Sequence, residues 1–208
     1  MEKFIIAVDG PAGSGKSTIS KIVAKKLGFT YLDTGAMYRM VTYAVLKNGI
    51  NLENENELIK LLDEIKLDIE KDKFYLDRED VSDVIRKEEV TNNVSKVAAI
   101  KLVREKLVCM QRDISKGKKV ILDGRDIGTV VFPQAELKIF LVASPEERAK
   151  RRVKEFLEKG IDTNYEKVLE EIKERDHMDS TRKESPLTQA KDAILIDTSF
   201  MNIDQVSE

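Results

Sequence analysis

The sequence predicts an α/β fold in which helices cover both faces of a parallel sheet. Two observations favour it. Short apolar runs alternate with longer segments of helical period, and each run is continuously apolar, as expected of strands buried on both faces. The predicted strands are residues 4–8, 31–32, 120–122, 138–142 and 193–196. The predicted helices are residues 16–27, 36–48, 101–116, 145–159 and 165–178. We therefore expect three layers with a five-stranded parallel sheet in the middle.

Each element has a local signal. The first strand is the run FIIAV, and a glycine-rich turn separates it from the first helix. The other four strands are carried by YL, VIL, KIFLV and AILI. The helix near residue 145 has the clearest start, because Ser144 can cap it, Pro145 suits its first turn and Glu147 completes a capping box.

Residues 51–99 interrupt this alternation. The segment KLDIEKDKFYLD alternates apolar and polar residues, which is typical of an antiparallel hairpin, and helical periodicity returns after Ser82. Successive strands without helices between them do not fit the parallel sheet. We expect a small inserted α+β subdomain at approximately 51–99.

The composition indicates a polar, nearly neutral protein. Its 208 residues include 36 Lys and Arg against 38 Asp and Glu, so the net charge of −2 favours neither nucleic acid nor a membrane as partner. The sequence contains no apolar run of the length that crosses a bilayer. The single cysteine, Cys109, excludes an internal disulfide, and apolar neighbours at helical spacing predict a packed thiol. We expect a cytoplasmic protein.

A phosphate-binding motif, GPAGSGKST, connects the first strand to the first helix. It matches the pattern G-x-x-x-x-G-K-[ST], whose backbone N–H groups surround phosphate oxygens. Lys16 can reach the β- and γ-phosphates, and the Ser17 hydroxyl can bind Mg²⁺. The predicted nucleotide-binding residues are Gly10, Pro11, Ala12, Gly13, Ser14, Gly15, Lys16, Ser17 and Thr18. The motif predicts a nucleoside triphosphate ligand, and a sequence without Asn-Lys-x-Asp disfavours a GTPase.

A second candidate site is the segment LDGRD. Asp123 ends a predicted buried strand, and Arg125 and Asp126 follow it directly. Ligands bind at the carboxyl ends of strands in an open parallel sheet, so this position favours a binding role. The alternative is an ordinary surface pair between an arginine and an aspartate.

The segment KERDHMDSTR carries a third group of charges. Arg175, Asp179 and Arg182 have the spacing i, i+4 and i+7, which predicts that they share one helix face. A simple salt bridge along the helix is the alternative. His177, the only histidine, is interpreted as a surface residue.

A fourth group, ERAKRR, begins soon after a predicted strand. It contains Arg148, Arg151 and Arg152 on one predicted helix. A solvated basic helix is the simpler interpretation. In a phosphotransferase, such a helix would instead be a mobile clamp whose arginines neutralise the charge of the transferred phosphoryl group.

Taken together, these segments resemble the bacterial cytidylate kinases. The resemblance rests on DGPAGSGKST, LDTGAMYR, EDVSDVIRKEEVTNNVSKVAAI, DGRDIGTVVFP and EIKERDHMDSTR in that order, and it covers roughly residues 4–206. It implies a three-layer P-loop kinase with an inserted nucleotide-binding subdomain at approximately 51–99 and a short helical lid at approximately 144–162. It also implies a monomer that phosphorylates CMP and dCMP with ATP and Mg²⁺.

The resemblance further implies a role for each charged segment. Lys16 and its loop would hold ATP, and Arg39, Arg125 and Arg182 would hold the acceptor phosphate. Ser95, Arg104 and Asp126 would surround cytosine, Arg175 and Asp179 would approach the sugar, and Thr34 would supply a hydroxyl where the family often has serine. Lys16, Arg125, Arg148 and Arg152 would act in catalysis, the last two from the lid.

These residue types suit a phosphate acceptor. A phosphate monoester has a second pKa near ~6, so it is largely a dianion at neutral pH and needs no general base. Guanidinium groups reduce the repulsion between two anions and fix their orientation. For the base, Asp126 can accept a hydrogen bond from the cytosine amine while Arg104 donates to ring acceptors. Uracil would mispair at both, so the sequence predicts a preference for CMP over UMP.

Two other functions remain open from the residues alone. One is a different small-molecule P-loop kinase, acting on UMP, AMP or shikimate. The other is a regulator that binds a nucleotide without transferring phosphate. The insertion and the LDGRD segment argue against the first, and a substrate panel would distinguish all three.

Overall fold

Two structural units make up the chain in the computed structural model, which describes residues 3–70, 72–158 and 160–208. The first unit combines the residues up to Asp33 with Ser115–Glu208, and the second is Thr34–Ile114. In chain order the strands are β1 (Phe4–Asp9), β2 (Thr30–Asp33), β3 (Leu67–Glu70), β4 (Lys73–Leu76), β5 (Glu79–Asp80), β6 (Lys119–Gly124), β7 (Leu137–Val142) and β8 (Ile194–Asp197). The α-helices are α1 (Lys16–Leu27), α2 (Thr34–Lys47), α3 (Glu55–Glu64), α4 (Glu88–Ala98), α5 (Lys101–Ser115), α6 (Pro145–Glu158), α7 (Tyr165–Thr181) and α8 (Ile203–Ser207).

A five-stranded sheet forms the centre of the first unit. Its order is β2-β6-β1-β7-β8, and every neighbouring pair is parallel. The inner strands β1 and β6 are buried over nearly their whole length, whereas β8 at the edge is mostly exposed. All five predicted strands and all five predicted helices are present, so the predicted three-layer α/β fold is confirmed. Within the described residues, none of the helices has the length and apolarity needed to cross a membrane.

The sheet register collects three acidic side chains at one edge. Asp123 of β6 lies beside Val8 of β1 on one side and beside Asp33 of β2 on the other. Asp9, the last residue of β1, lies one step further along. All three aspartates are buried. Because parallel strands end at the same edge of a sheet, this edge is where a ligand is expected.

Apolar side chains hold the helices of the first unit in place. One cluster joins Ile6 and Val8 of β1 and Ile121 of β6 to Ala24 of α1. A second cluster joins Ala149 of α6 to α7, and its other buried members are Val168 and Ile172. These clusters fix α1 behind the phosphate loop and pair α6 with α7.

The start of α6 agrees only in part with its predicted capping box. Ser144 Oγ accepts a hydrogen bond from the Glu147 amide at 3.2 Å, as the pattern requires. The Ser144 amide, which the box would pair with the Glu147 side chain, donates instead to Ser199 Oγ at 3.0 Å. A distant serine thus replaces the local acid, and it ties α6 to the segment after β8.

The second unit contains the predicted antiparallel strands. β3 and β4 pair antiparallel with Leu67 opposite Leu76, and the short β5 extends them to three strands. A 3-10 turn at Val84–Arg86 and α4 follow, in agreement with the return of helical periodicity. This unit is larger than the predicted insertion because it includes α2 and nearly all of α5. The boundaries of a nucleotide-binding subdomain at approximately 51–99 stay a prediction.

The prediction that the Cys109 thiol is packed is wrong. The predicted stripe on α5 is buried at Val103 and Leu107, but Cys109 is exposed. Two residues beyond Leu107 correspond to more than half a turn of helix, so the thiol faces away from the stripe. Its Sγ lies 3.8 Å from Asp113 Oδ2, one turn further along the same helix.

Candidate active site

The phosphate loop runs from Gly10 to Thr18, so it covers the turn after β1 and the first three residues of α1. Gly10 has a φ of +148°, and a side chain there would overlap the Leu141 carbonyl oxygen, so the position needs glycine. α1 begins at Lys16, and its N-cap residue, Gly15, provides no side-chain hydrogen bond. Gly15 therefore gives the amides of the first helical turn no side-chain cap. Amides at the N-terminus of a helix can bind an anion.

Lys16 lies inside this loop and is only 5% exposed. Its Nζ donates to the Pro11 carbonyl at 2.7 Å and lies 3.5 Å from Ser14 Oγ. Burial lowers the pKa of Lys16 well below its ordinary value, and the positive charge of Arg125 lowers it further. The negative charge of a phosphate bound in the loop would stabilise the charged ammonium form of Lys16.

Ser17, the predicted metal ligand, is bonded to an acid. Its Oγ donates to Asp123 Oδ2 at 2.8 Å, and Tyr31 OH donates to the other oxygen, Oδ1, at 2.6 Å. Burial raises the pKa of Asp123, and the nearby carboxylate of Asp33 raises it further. A cation would offset this concentration of buried negative charge.

The oxygen atoms of Ser17 and Asp123 fit Mg²⁺. This ion prefers oxygen ligands and usually takes only one or two from the protein, with substrate phosphates and waters supplying the rest. The described part of the chain has no group of three or more His, Cys, Asp or Glu side chains placed to hold a metal.

Asp9 makes a contact that the sequence did not suggest. It is 4% exposed, and its two carboxylate oxygens accept the amide hydrogens of Ile127 at 2.8 Å and Gly128 at 2.7 Å. Burial is the main reason that the pKa of Asp9 is raised to about 6. The bonds attach the segment after β6 to the strand that leads into the phosphate loop.

Arg125 contacts the third charged segment directly. Its Nε donates to Asp179 Oδ2 at 2.9 Å, and Asp179 is buried in α7. Burial by itself would raise the pKa of Asp179, but Arg125 and Arg175 outweigh burial and hold the pKa below its ordinary value. Two segments that are 54 residues apart in sequence thus form one charged cluster.

Arg182 reaches the same cluster from a different backbone position than predicted. α7 ends at Thr181, and Arg182 has extended backbone with a ψ of 143°, so the shared helix face holds for Arg175 and Asp179 but not for Arg182. Its Nε donates to the Ser185 carbonyl at 2.8 Å, and its Nη2 lies 4.0 Å from Asp126 Oδ1. The helix spacing was wrong, although the charge still lies beside Asp126.

Arg148 is neither a solvated residue nor a loosely held one. It is 2% exposed, and its Nε donates to the Ala143 carbonyl at 2.9 Å. Nη1 donates to the Ala12 carbonyl of the phosphate loop and to Asp176 Oδ1, both at 3.0 Å, and Nη2 donates to Asp176 Oδ2. In this conformation Arg148 connects α6, the phosphate loop and α7.

The other two arginines of α6 differ from Arg148. Arg151 donates to the carbonyl oxygen of Thr198. Arg152 places its guanidinium 5.2 Å from the centre of the Phe156 ring, and its buried Nε has no hydrogen-bond partner among the described residues. Of the three arginines on α6, Arg152 therefore has the fewest hydrogen bonds to other described residues.

Four predicted substrate-binding residues belong to the second unit. Thr34 begins α2, and Ser95 is buried on α4. Arg39 Nη1 donates to the Ile85 carbonyl at 3.1 Å and to Thr91 Oγ1 at 2.8 Å. Arg104 on α5 donates to the Ala98 carbonyl at 3.0 Å and stacks 5.2 Å from the centre of the Tyr38 ring. Both arginines are thus anchored within their own unit.

The sequence interpretation omitted four residues of this region. Asp9, Tyr31, Asp33 and Asp176 were not among the predicted site residues, although each contacts or electrostatically influences one that was. Asp9 and Asp33 directly follow apolar runs, just as Asp123 does, so the same signal was available for them. Tyr31 and Asp176 carry no such signal.

Comparison with known proteins identifies the family. The family model described as "Cytidylate kinase" matches residues 6–208. The chain belongs to the cytidylate kinase family. A cytidylate kinase of Fusobacterium nucleatum is 59% identical over 206 residues, which is 99% of this chain and 94% of that protein. A cytidylate kinase of Clostridioides difficile is 54% identical over 208 residues, 100% of this chain and 96% of that protein.

Solved structures of other kinases share the fold. A gluconokinase from Sinorhizobium meliloti superposes with a TM-score of 0.51 at 13% identity, over 99% of this chain and 87% of that one. A shikimate kinase from Bacteroides thetaiotaomicron gives a TM-score of 0.50 at 13% identity, over 99% of this chain and 95% of that one. At such identities the likeness concerns the fold alone. Membership of the cytidylate kinase family makes the chain a nucleoside monophosphate kinase, an ATP-dependent transferase that phosphorylates CMP and dCMP.

Proposed function

We propose that the chain transfers the γ-phosphoryl group of ATP to CMP or dCMP at the phosphate loop and a cluster of three arginines, Arg125, Arg175 and Arg182. One observation carries the proposal. Arg125 and Arg175 lie close enough to Lys16 to lower its pKa, so the donor loop and the cluster belong to the same positive field. A second phosphate dianion needs such a field in order to approach the first.

The proposed mechanism uses positioning and charge rather than a general base. The acceptor phosphate of CMP is already a dianion at neutral pH, so no side chain must remove a proton from it. Arg39, Arg125 and Arg182 hold this phosphate in line with the γ-phosphorus. Lys16 follows the charge that develops on the transferred group. Positioning and electrostatic stabilisation of this kind supply most of the rate enhancement in phosphoryl transfer.

Mg²⁺ is the proposed cofactor, and Ser17 with Asp123 would hold it. When bound, the ion neutralises phosphate charge. The hydrogen bond from Tyr31 orients the Asp123 carboxylate, so Ser17 Oγ and Asp123 Oδ2 stay on the same side of the site. Asp33 adds negative charge that favours a cation there.

Recognition of the base is proposed to depend on Asp126. Its carboxylate would accept a hydrogen bond from the cytosine amine, while Arg104 donates to the ring acceptors and Ser95 completes the polar surroundings. Asp126 is 3% exposed, so a uracil carbonyl facing it would leave a buried acceptor without a donor. Arg175 and Asp179 would contact the sugar, and Thr34 would add a hydroxyl.

We assign the lid to residues at approximately 144–162 and the nucleotide-binding subdomain to approximately 51–99. Arg152 suits a lid arginine better than Arg148 does, because its Nε has no partner among the described residues, whereas Arg148 holds Asp176 and two backbone carbonyls. Arg148 would act on ATP by fixing the Ala12 carbonyl of the loop. We also propose a cytoplasmic monomer without a nucleic-acid partner, in keeping with a net charge of −2.

A substrate panel tests this function. The chain is incubated with ATP, Mg²⁺ and one of CMP, dCMP, UMP, AMP or shikimate, and products are separated by ion-exchange chromatography. We expect CDP and dCDP, with kcat/KM for CMP at least about a hundredfold above that for UMP. Lys16→Met is the matched control and should remove activity. Nucleotide binding without formation of CDP would indicate a regulator. Equal use of UMP and CMP would exclude the proposed base-reading role of Asp126.

A further inference from the structure

Two peptide carbonyls of the phosphate loop are held by side chains from outside the loop. The Ala12 carbonyl accepts a hydrogen bond from Arg148 Nη1 at 3.0 Å, and the Ser14 carbonyl accepts one from Thr198 Oγ1 at 3.3 Å. Arg148 lies on α6, whereas Thr198 directly follows β8. The proposed mechanism uses Arg148 at this loop but gives Thr198 no role.

Each of these carbonyls belongs to a peptide group whose other end is a glycine amide. The Ala12 carbonyl shares a planar peptide group with the N–H of Gly13, and the Ser14 carbonyl shares one with the N–H of Gly15. In a trans peptide group the C=O and N–H bonds point in opposite directions, so a donor that holds the carbonyl also fixes where the amide points. Backbone amides are the groups with which loops of this type bind phosphate.

The backbone at Gly15 depends on such a hydrogen bond. Gly15 has a φ of +90°, a conformation that glycine adopts without steric cost but that no side chain of its own restricts. A Cβ at Gly15 would have no described atom beyond its chain neighbours within 4 Å, so close packing does not fix this position either. The Ile19 amide donates to the Gly15 carbonyl at 3.0 Å and holds the following peptide group. Thr198 holds the preceding one, through the Ser14 carbonyl.

Thr198 itself has a well-defined position. It is 3% exposed, and its amide donates at 2.8 Å to the carbonyl of Val142, the last residue of β7. Arg151 of α6 donates to the Thr198 carbonyl, and the next residue, Ser199, accepts the Ser144 amide at 3.0 Å. Hydrogen bonds to β7 and to α6 therefore fix the Thr198 hydroxyl beside the phosphate loop.

The Thr198 hydroxyl has two acceptors within reach. Its oxygen lies 3.3 Å from the Ser14 carbonyl and 3.1 Å from the Val142 carbonyl. The Val142 carbonyl already accepts the Thr198 amide, whereas Ser14 is completely buried and gains a donor for its carbonyl from the hydroxyl. A buried carbonyl without a donor costs free energy, so the hydrogen bond to Ser14 is favoured.

We propose that Thr198 is a positioning residue for the donor phosphates: its hydroxyl holds the Ser14 carbonyl and so directs the Gly15 amide into the phosphate loop. Thr198 needs no contact with ATP for this role. The inference rests on the proposed binding of the ATP phosphates in this loop.

The direct test is Thr198→Val. Valine keeps the branched shape of threonine but has a methyl group in place of the hydroxyl, and a methyl group cannot donate to the Ser14 carbonyl. We expect the Kd for ATP, measured by isothermal titration calorimetry, to rise about fivefold, the effect of one lost hydrogen bond. The kcat should stay close to that of wild type, because a loss of binding common to the ground state and the transition state raises KM without lowering kcat.

Inorganic tripolyphosphate distinguishes the loop from the rest of the nucleotide site. This ion carries a chain of three phosphates without base or sugar, so Thr198→Val should weaken its binding by the same factor as that of ATP. Unchanged binding of both ligands overturns the inference. Weaker binding of ATP with unchanged binding of tripolyphosphate also overturns it, because Thr198 would then act on the base or the sugar.

Two variants separate this role from a general effect on stability. Thr198→Ser keeps the hydroxyl and should bind both ligands as wild type does. Thr42→Val removes another buried hydroxyl that donates to a carbonyl, that of Tyr38 at 2.8 Å, but this one lies in the second unit. Thr42→Val should lower the free energy of unfolding and leave both Kd values unchanged. If it raises them as much as Thr198→Val does, the proposed role of Thr198 is excluded.

A further pair covers the case in which Thr198→Val does not fold. Thr198→Ser and Thr198→Ala differ by the hydroxyl group alone, and neither adds a methyl group beside the Ser14 carbonyl. We expect the alanine variant to bind ATP and tripolyphosphate more weakly than the serine variant. Equal Kd values in this pair contradict the inference.

Lys16→Met distinguishes a failure of this inference from a failure of the proposed function. Wild type should bind tripolyphosphate more tightly than Lys16→Met does. If the two proteins bind it equally, or wild type does not bind it, the phosphate-binding role of the loop fails and the inference fails with it. If Lys16→Met weakens binding and Thr198→Val does not, only the inference about Thr198 fails.

Discussion

Arg148 and Asp176 form a bidentate ion pair that is almost completely buried on the arginine side, where the side chain is 3% exposed. The pair spans α6 and α7, and the same guanidinium bonds to the Ala12 carbonyl of the phosphate loop. The phosphate loop is thus connected through one side chain to the helix that carries Arg175 and Asp179.

Removing Asp176 should therefore destabilise the protein strongly. Asp176→Ala leaves the Arg148 charge buried without its partner, and breaking a buried pair in this way costs about 3 kcal/mol. Urea unfolding followed by circular dichroism would measure the loss. Glu105→Gln, which removes an exposed pair with Lys101, is the control and should have no measurable effect. Equal behaviour of the two variants would show that the buried pair between Arg148 and Asp176 does not stabilise the fold.

Asp123→Asn should weaken use of Mg²⁺ more than it weakens binding of ATP. The variant keeps the Ser17 contact possible but removes the negative charge that attracts the ion. We expect the free Mg²⁺ concentration for half-maximal rate to rise about tenfold, equivalent to about 1.4 kcal/mol. Binding of Mn²⁺ measured by electron paramagnetic resonance gives a readout independent of turnover.

Tyr31→Phe is the matched comparison for that experiment. It removes the 2.6 Å hydrogen bond to Asp123 but leaves the carboxylate charge in place. Its effect on Mn²⁺ binding should be smaller than that of Asp123→Asn. An Asp123→Asn protein with wild-type metal dependence would exclude Asp123 from the metal site.

Most of the fold could be predicted from the sequence because parallel strands buried on both faces are continuously apolar. FIIAV and VIL are such runs. The ends of these strands were predictable too, which is why Arg125 and Asp126 were recognised as candidates. The phosphate loop is fully local, so its position between β1 and α1 followed from the motif.

The remainder of the candidate site depends on contacts between distant segments. The sequence predicts a solvated helix or a mobile clamp for Arg148, because nothing near it in sequence indicates Asp176, 28 residues later. Ser199 replaced a predicted local cap for the same reason. Cys109 was misjudged because apolar spacing identifies a stripe but not the angular width of the buried face.

Lys16 should take up a proton when ATP binds. Its pKa is below the ordinary lysine value, first through burial and then through Arg125. Bound phosphates favour the charged ammonium and raise that pKa, so binding above neutral pH adds a proton to the site and affinity falls as pH rises. Calorimetric titration with ATP at pH 8.5, in two buffers of different ionisation enthalpy, measures the uptake. Lys16→Met should show none, and an equally small uptake by wild type would contradict the buried lysine environment.

The raised pKa of Asp9 predicts a pH-dependent cost to stability. The folded-state pKa of about 6 exceeds the ordinary value of 3.8, so the folded protein binds more protons than the unfolded chain between these limits. The stability that this group contributes is complete below pH 3.8 and is lost as pH rises through about 6. Asp9→Asn lacks this titration. The free energy of unfolding of wild type minus that of the variant should therefore fall by about 2 kcal/mol between pH 4.5 and 7.5. Urea unfolding at several pH values tests this, and a constant difference would show that Asp9 titrates normally.

Arg152→Ala should lower turnover far more than it lowers affinity for ATP. The Arg152 guanidinium contacts the Phe156 ring, and its Nε has no partner among the described residues, so the side chain can reach a phosphoryl group without breaking an internal hydrogen bond from that atom. Loss of one such charge from a transition state costs about a hundredfold in kcat, whereas ground-state binding of ATP relies on the phosphate loop. Single-turnover rates and the Kd for ATP separate the two effects. Lys154→Ala, an exposed cation on the same helix, is the control and should behave as wild type. Wild-type turnover by Arg152→Ala would place the catalytic arginine elsewhere and leave α6 with only its structural connection through Arg148.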